Sequence, residues 1–190
     1  MKKTIITCIT CFFLTSLSFS QMVQEKLPIN VSKSNVHWYG YYTFYFGGHD
    51  GDINFKKGYF LKTGDVITGG EFVIDMNSIT STDIENPKAN KGLVNHLKNE
   101  DFFNTPKHPE AKLVITSVTY HDQTHMKVNA NLTIKGITKS IDFQAEVNFA
   151  KKQMTTKFKI DRMRWGVNYN SKMRDGAISD AVGFEVTLSL

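Results

Sequence analysis

Across its second half the chain alternates apolar and polar residues with a period of two. Ile141, Phe143, Ala145, Val147 and Phe149 are separated by Asp142, Gln144, Glu146 and Asn148. Successive side chains of a strand point to opposite faces, so this stretch has one apolar and one wet face. The pattern returns at Met126, Val128, Ala130, Leu132 and Ile134, and again at Val182, Phe184, Val186, Leu188 and Leu190. Turn signals punctuate it: Gly47-Gly48, Asp50-Gly51, Thr63-Gly64-Asp65, Asp122-Gln123, Lys135-Gly136 and Asp175-Gly176. Between them the pattern predicts strands over 35–46, 52–61, 66–77, 111–120, 125–134, 139–150, 154–161 and 180–190. These are half-buried antiparallel strands joined mostly by short turns. They must form two packed sheets or one sheet closed on itself. An up-and-down meander of about eight strands suits a closed barrel, wide enough to fill with side chains or to hold one slender ligand.

One segment departs from this period. Leu93, Val94 and Leu97 fall at helical spacing within Lys91–Asn99, after Pro87 and before Asp101-Phe102-Phe103 and Pro106. This predicts a short helix and an aromatic strap inserted between the third and fourth strands. On a barrel the insert would lie across one mouth, where Phe102 and Phe103 would cover the interior, plug it, or do both. Gln21–Pro28 reads as a loose lead-in.

Composition changes the picture at the N-terminus. Lys2 and Lys3, an apolar stretch from Thr4 to Leu17 and Ser18-Phe19-Ser20 have the form of a secretory leader, with cleavage expected before Gln21. Residues 1–20 are thus read as a signal peptide and 21–190 as one domain, exported to the periplasm or secreted. Both cysteines, Cys8 and Cys11, lie in the leader and fit a lipoprotein signal poorly, so a lipid anchor is not expected. The mature chain then has no cysteine for thiol catalysis, disulfides or thiolate metal sites. Losing Lys2 and Lys3 lowers the formal charge from +5 to +3. The remaining lysines are scattered, and no nucleic-acid motif is present. No later segment is apolar enough to span a bilayer.

Candidate chemistry is sparse. The six histidines show no metal-ligand spacing, and no metal is expected; His121 and His125 only flank a turn. There is no nucleophile elbow, and Gly69-Gly70 is not followed by a phosphate-loop lysine. No catalytic residue and no cofactor are therefore assigned. Asp161-Arg162-Met163-Arg164-Trp165-Gly166 is the most suggestive polar segment. Arg162 and Arg164 would neutralise a ligand headgroup at a barrel mouth, or one of them would pair with Asp161 or Asp175.

Several segments together resemble the YceI-like family. They are Gly69–Ile79 (GGEFVIDMNSI), Gly92–Phe103 (GLVNHLKNEDFF), His108–Ala111, Leu132–Lys139 (LTIKGITK), and Ile160-Asp161-Arg162 with Trp165-Gly166. Their order matches, and the resemblance runs from about Ser34 to Leu190. It implies an exported, lipocalin-like eight-stranded antiparallel barrel with a helical insertion, some members of the family holding polyisoprenoid or other long-chain lipids inside. Gly40–Gly51 departs from the pattern in its richness in Tyr and Phe.

Alternation points Phe72, Ile74, Val128, Leu132, Phe143, Val147, Phe158, Phe184 and Val186 inward. With Trp38, Phe44, Phe55 and Trp165, and with Leu97, Phe102 and Phe103 of the insert, they form the expected lipid-contacting set. The leading expectation is a carrier or sequestering protein for a polyisoprenoid or fatty-acid-like chain. The alternatives are a structural or adhesion module with a filled barrel, and an enzyme acting on a hydrophobic substrate.

Overall fold

A computed structural model describes residues 23–44, 46–169 and 178–190. The expected leader, Tyr45 and Asp175 lie outside these residues. Ten strands form one antiparallel sheet: β1 (Gln24–Pro28), β2 (Asn35–Tyr42), β3 (Gly48–Ile53), β4 (Phe55–Thr63), β5 (Val66–Asp75), β6 (Glu110–Tyr120), β7 (His125–Ile134), β8 (Ile137–Asn148), β9 (Gln153–Asp161) and β10 (Ile178–Ser189). The order across the sheet is β1-β4-β5-β6-β7-β8-β9-β10-β2-β3. β3 lies on one edge and β4 next to the other, yet only Asn54 separates them in the chain. This link forces the sheet to curl on itself into a half-barrel. Near one end the curl is tied by backbone bonds from Ile29 to Gly58 (3.0 Å) and from Asn30 to Ser189 (2.7 Å).

The eight expected strands are all present, but two further ones raise the count to ten. β1 occupies the segment read as a lead-in. It is mostly exposed and has little apolar alternation. Its order comes from the backbone ladder to β4, with Gln24 opposite Thr63 and Pro28 opposite Tyr59. Its proline stands at the strand's end on a sheet edge, where a missing donor is tolerated. β3 falls on Gly48, Asp50 and Gly51, which are turn residues by type. In the fold these glycines serve close approach instead: a Cβ on Gly51 would collide with the carbonyl of Thr80. At the β7–β8 connection the turn chemistry holds. Lys135 (φ 49°) and Gly136 (φ 75°) make the two-residue β7–β8 hairpin with both residues left-handed, as a type I′ turn requires.

The wet face of β8 is exposed at Asp142, Gln144, Glu146 and Asn148, and its apolar face is buried at Phe143, Ala145 and Val147. The nine residues placed inward by alternation all belong to or pack against one hydrophobic core. The single α-helix described, α1 (Pro87–Lys98), lies between β5 and β6 as expected. It starts four residues earlier than the apolar spacing suggested. The Asn86 side chain caps it by accepting from the backbone of Lys88 (3.0 Å) and Ala89 (3.1 Å), and Pro87 takes the first helical position. No described helix is long and apolar enough to cross a membrane.

Candidate functional site

The curled sheet encloses apolar space. A central cavity of about 90 Å³ is walled by residues from nine strands, β2 to β10. Phe55, Phe72 and Ile74 form one side, and Leu132, Phe143, Phe158, Phe184 and Val186 the other. Phe143 stacks on Phe158 (centroids 4.9 Å apart), and Phe158 leans on Phe184 (5.4 Å). Such offset pairs add about 0.5–1.5 kcal/mol each beyond the area they bury. Thr156 is the one polar side chain on this wall, and its hydroxyl donates to the Gln144 carbonyl (2.5 Å).

A second cavity of about 90 Å³ lies at the helix end. Leu93 and Leu97 of α1, Phe102, Phe103 and Trp38 line it, together with Tyr41, Tyr42, His49 and Arg162. Ile53, Phe103 and Phe184 border both cavities and form the partition between them. The strap holding Phe103 is built by backbone bonds from Phe103 to Leu97 (3.1 Å) and from Asn104 to Asn99 (2.7 Å). Asn104 adopts the left-handed conformation there (φ 49°). The helix is fixed over the mouth by Lys98, which donates to the Asn77 carbonyl (2.7 Å), and by Asn90, which donates to the carbonyls of Ser81 (3.0 Å) and Ile84 (3.1 Å). The opposite end holds a wider space of about 430 Å³, with Leu27, Phe60, Val147 and Phe149 in its wall. Met154 and Leu188 separate it from the central cavity.

Most of the expected lipid-contacting residues therefore border these cavities. Trp38, Leu97 and Phe102 line the helix-end space; Phe55, Phe72, Ile74, Leu132, Phe143, Phe158 and Val186 line the central one; Phe103 and Phe184 line both. Val147 lines only the far space. Val128 and Trp165 are fully buried but border none of the three: they are packed core. The Trp165 indole is pinned by donation to the Leu132 carbonyl (3.0 Å). Phe44 is corrected to the outside: it is 70% exposed on the β2–β3 tip, because β2 ends at Tyr42 and alternation stops with it.

The two arginines also part company. Arg162 is buried, but its guanidinium is already engaged. Nε donates to Ser179 (3.1 Å), Nη1 to the Val167 carbonyl, and Nη2 to Ile178 (3.4 Å) and Asp180 (3.3 Å). Its acidic partner is Asp180; Asp161 instead caps the short turn Arg162–Trp165 through the Met163 amide (2.9 Å). Arg164 is exposed, donates to the Ser140 carbonyl (3.2 Å) and stacks over Trp165 (5.3 Å). Arg162 therefore offers no free fork to a headgroup.

A polar cluster missed by the sequence reading sits where β3 pairs with β2. His37 lies between Asp52 (2.8 Å) and Asp50 (3.2 Å), and His49 between Asp83 (2.7 Å) and the Tyr42 hydroxyl (2.9 Å). Burial pushes the Asp52 carboxyl up, but hydrogen bonds from Asn35 and His37 outweigh it and hold it below the usual range. Asp83 is likewise raised by burial and lowered further by His49, Ser81 and the Asp50 amide. Only recognition of β3 would have brought these residues together. No group of three or more His, Cys, Asp or Glu among the described residues is arranged to hold a metal.

The description of a YceI-like domain matches residues 27–190. This chain belongs to the YceI-like family. Among curated relatives it is 36% identical over 69 residues to a UPF0312 protein of Photorhabdus laumondii, covering 36% of this chain and 33% of that one. It is 34% identical over 98 residues to a UPF0312 protein of Staphylococcus aureus strain USA300, covering 47% and 54%. The matched stretches thus span about half or less of those relatives. Among solved structures, Burkholderia cenocepacia BcnA superposes with a TM-score of 0.67 at 19% identity, covering 84% of this chain and 98% of that one. A mutant of the CJ YCEI protein gives a TM-score of 0.50 at 19% identity, covering 98% and 97%. These likenesses establish the YceI-like fold of the chain.

Proposed function

We propose that this protein is exported and holds a long-chain amphiphilic lipid, polyisoprenoid or fatty-acid-like, inside its curled sheet for carriage or sequestration. The observation that carries the reading is the apolar wall contributed by nine strands around two cavities that meet at Ile53, Phe103 and Phe184. A chain of methylenes gains about 0.8 kcal/mol per group buried, so such a wall binds without any catalytic group. Each of the two cavities has room for roughly six to nine water-sized spheres at about 10–15 Å³ apiece. A long chain therefore enters only as the partitions at Phe103 and at Met154–Leu188 swing aside. Both partitions are built for that: one lies on a strap, the other includes an unbranched methionine.

On this reading the protein is a binder rather than an enzyme, without cofactor, released from its leader into the periplasm or medium with no lipid anchor. Mass spectrometry of lipids extracted from protein purified from the cell envelope tests the function, and N-terminal sequencing tests the leader. Absence of any co-purifying lipid, together with failure to bind a polyprenol or a fatty acid in vitro, sinks the reading. The small size of the central and helix-end cavities favours one competitor, a structural or adhesion module whose interior is simply filled.

A further inference from the structure

The β2–β3 hairpin ends in a feature that the interior does not use. The Tyr42 amide donates to the Gly47 carbonyl (3.2 Å) and closes the tip. On that tip Phe44 is 70% exposed and Phe46 is fully exposed. Exposed phenyl rings cost solvation free energy unless something covers them. The base of the hairpin is braced by the Tyr42–His49–Asp83 chain of hydrogen bonds (2.9 and 2.7 Å), which ties it to the segment after β5. Tyr41, Tyr42 and His49 of the same hairpin also wall the helix-end cavity. A hairpin braced at its base, with Phe44 and Phe46 exposed near its tip, thus stands beside the mouth.

Two phenyl groups can bury about 300–500 Å² at 150–250 Å² each, short of the ~800 Å² per partner in a stable protein interface. They project from a narrow tip, which suits a wedge entering a soft apolar medium. Among the described residues, the charges around the hairpin are Lys159, stacked 4.6 Å over Tyr41, and Lys157, paired with Glu185 (2.7 Å), against Asp50, Asp52 and Asp83 with His37 and His49. Among these, four carboxylates outnumber two lysines, so attraction to an anionic surface does not drive contact. We propose that Phe44 and Phe46 form a docking finger for a zwitterionic lipid bilayer, inserting into the boundary between headgroups and acyl chains and setting the helix-end mouth against the membrane. The use of that mouth rests on the lipid-holding reading; attachment of the finger to a bilayer does not.

The test uses the chain from Gln21 onward, which carries every strand and helix described, sedimented with phosphatidylcholine vesicles at ~0.1 M and ~1 M salt. The native chain is expected to co-sediment equally at both, whereas Phe44→Ser/Phe46→Ser partitions roughly tenfold or more less. Val66→Ser, which removes an exposed apolar side chain at the opposite end, leaves sedimentation unchanged. Sedimentation of the double variant at the native level, failure of the native chain to sediment, or loss of binding at high salt overturns the finger. A fluorescent fatty acid titrated without vesicles reports the interior separately. Its failure to bind either chain would refute the lipid-holding reading while leaving the vesicle result to judge the finger.

Discussion

Replacing Phe103 by Ala should open the partition between the two cavities at the helix end. Truncating a fully buried Phe costs about 3–5 kcal/mol. Phe103 is half-buried and borders a cavity on two sides, so it has fewer packed neighbours to lose. The expected cost is about half, roughly 1.5–2.5 kcal/mol, or about 3–10 °C in Tm. Phe102 is the internal comparison. It is buried between the rings of His96 (5.1 Å) and Tyr169 (5.2 Å), and Phe102→Ala should cost the full ~3–5 kcal/mol. For a bound chain the order reverses. If the Phe103 ring covers roughly 40–60 Å² of ligand, its loss removes about 1–1.5 kcal/mol, which is roughly five- to twelvefold in affinity. Most of that should appear as faster release. Urea unfolding measures the first quantity, and transfer of a fluorescent polyprenol or fatty acid to acceptor vesicles measures the second. A Phe103→Ala protein that loses 3 kcal/mol or more yet releases ligand at the native rate would refute the argument. Phe103 would then be core filling, and ligand would leave by the opposite end.

Arg162→Met should cost about 3–5 kcal/mol, because it strands buried carbonyls around Val167 and Ile178–Ser179. It should weaken a fatty acid and the matching alcohol equally; selective loss of the acid in a binding titration would restore the headgroup role. Stability should fall on acidification. Asp52, Asp83, Glu110 and Glu185 all have folded values held below their ordinary 3.8 or 4.5, so their contribution is complete above about pH 5 and is lost as pH drops through the lowered values. Asp52→Asn/Asp83→Asn should flatten that acid limb in urea titrations at stepped pH, and an unchanged slope would contradict the assigned bonds. Gly51→Ala should destabilise by about 1–3 kcal/mol or more, since its Cβ meets the Thr80 backbone rather than a movable side chain; a neutral Tm would show that β3 can shift away.

The family was legible in the sequence because its motifs lie in short contiguous stretches. So was the register of the regular strands, because alternation is local: Phe143, Val147, Phe158 and Phe184 declare their face through polar neighbours on either side, and each packs inward or against the core. The helical insert was legible for the same reason, with its start displaced only by the Asn86 cap. The tertiary structure decided what depends on distant partners. β1 exists through main-chain bonds to β4, and main-chain bonds leave no trace in side-chain pattern. β3 was hidden because its glycines, which usually mark turns, here admit a neighbouring backbone. Arg162 could be assigned only once Ser179 and Asp180 came round to meet it. The cavities belong wholly to this second class. Their partition joins Ile53 of β3 and Phe184 of β10, two strands apart on one side of the sheet, to Phe103 of the insert between β5 and β6, which only the curl of the sheet brings to them.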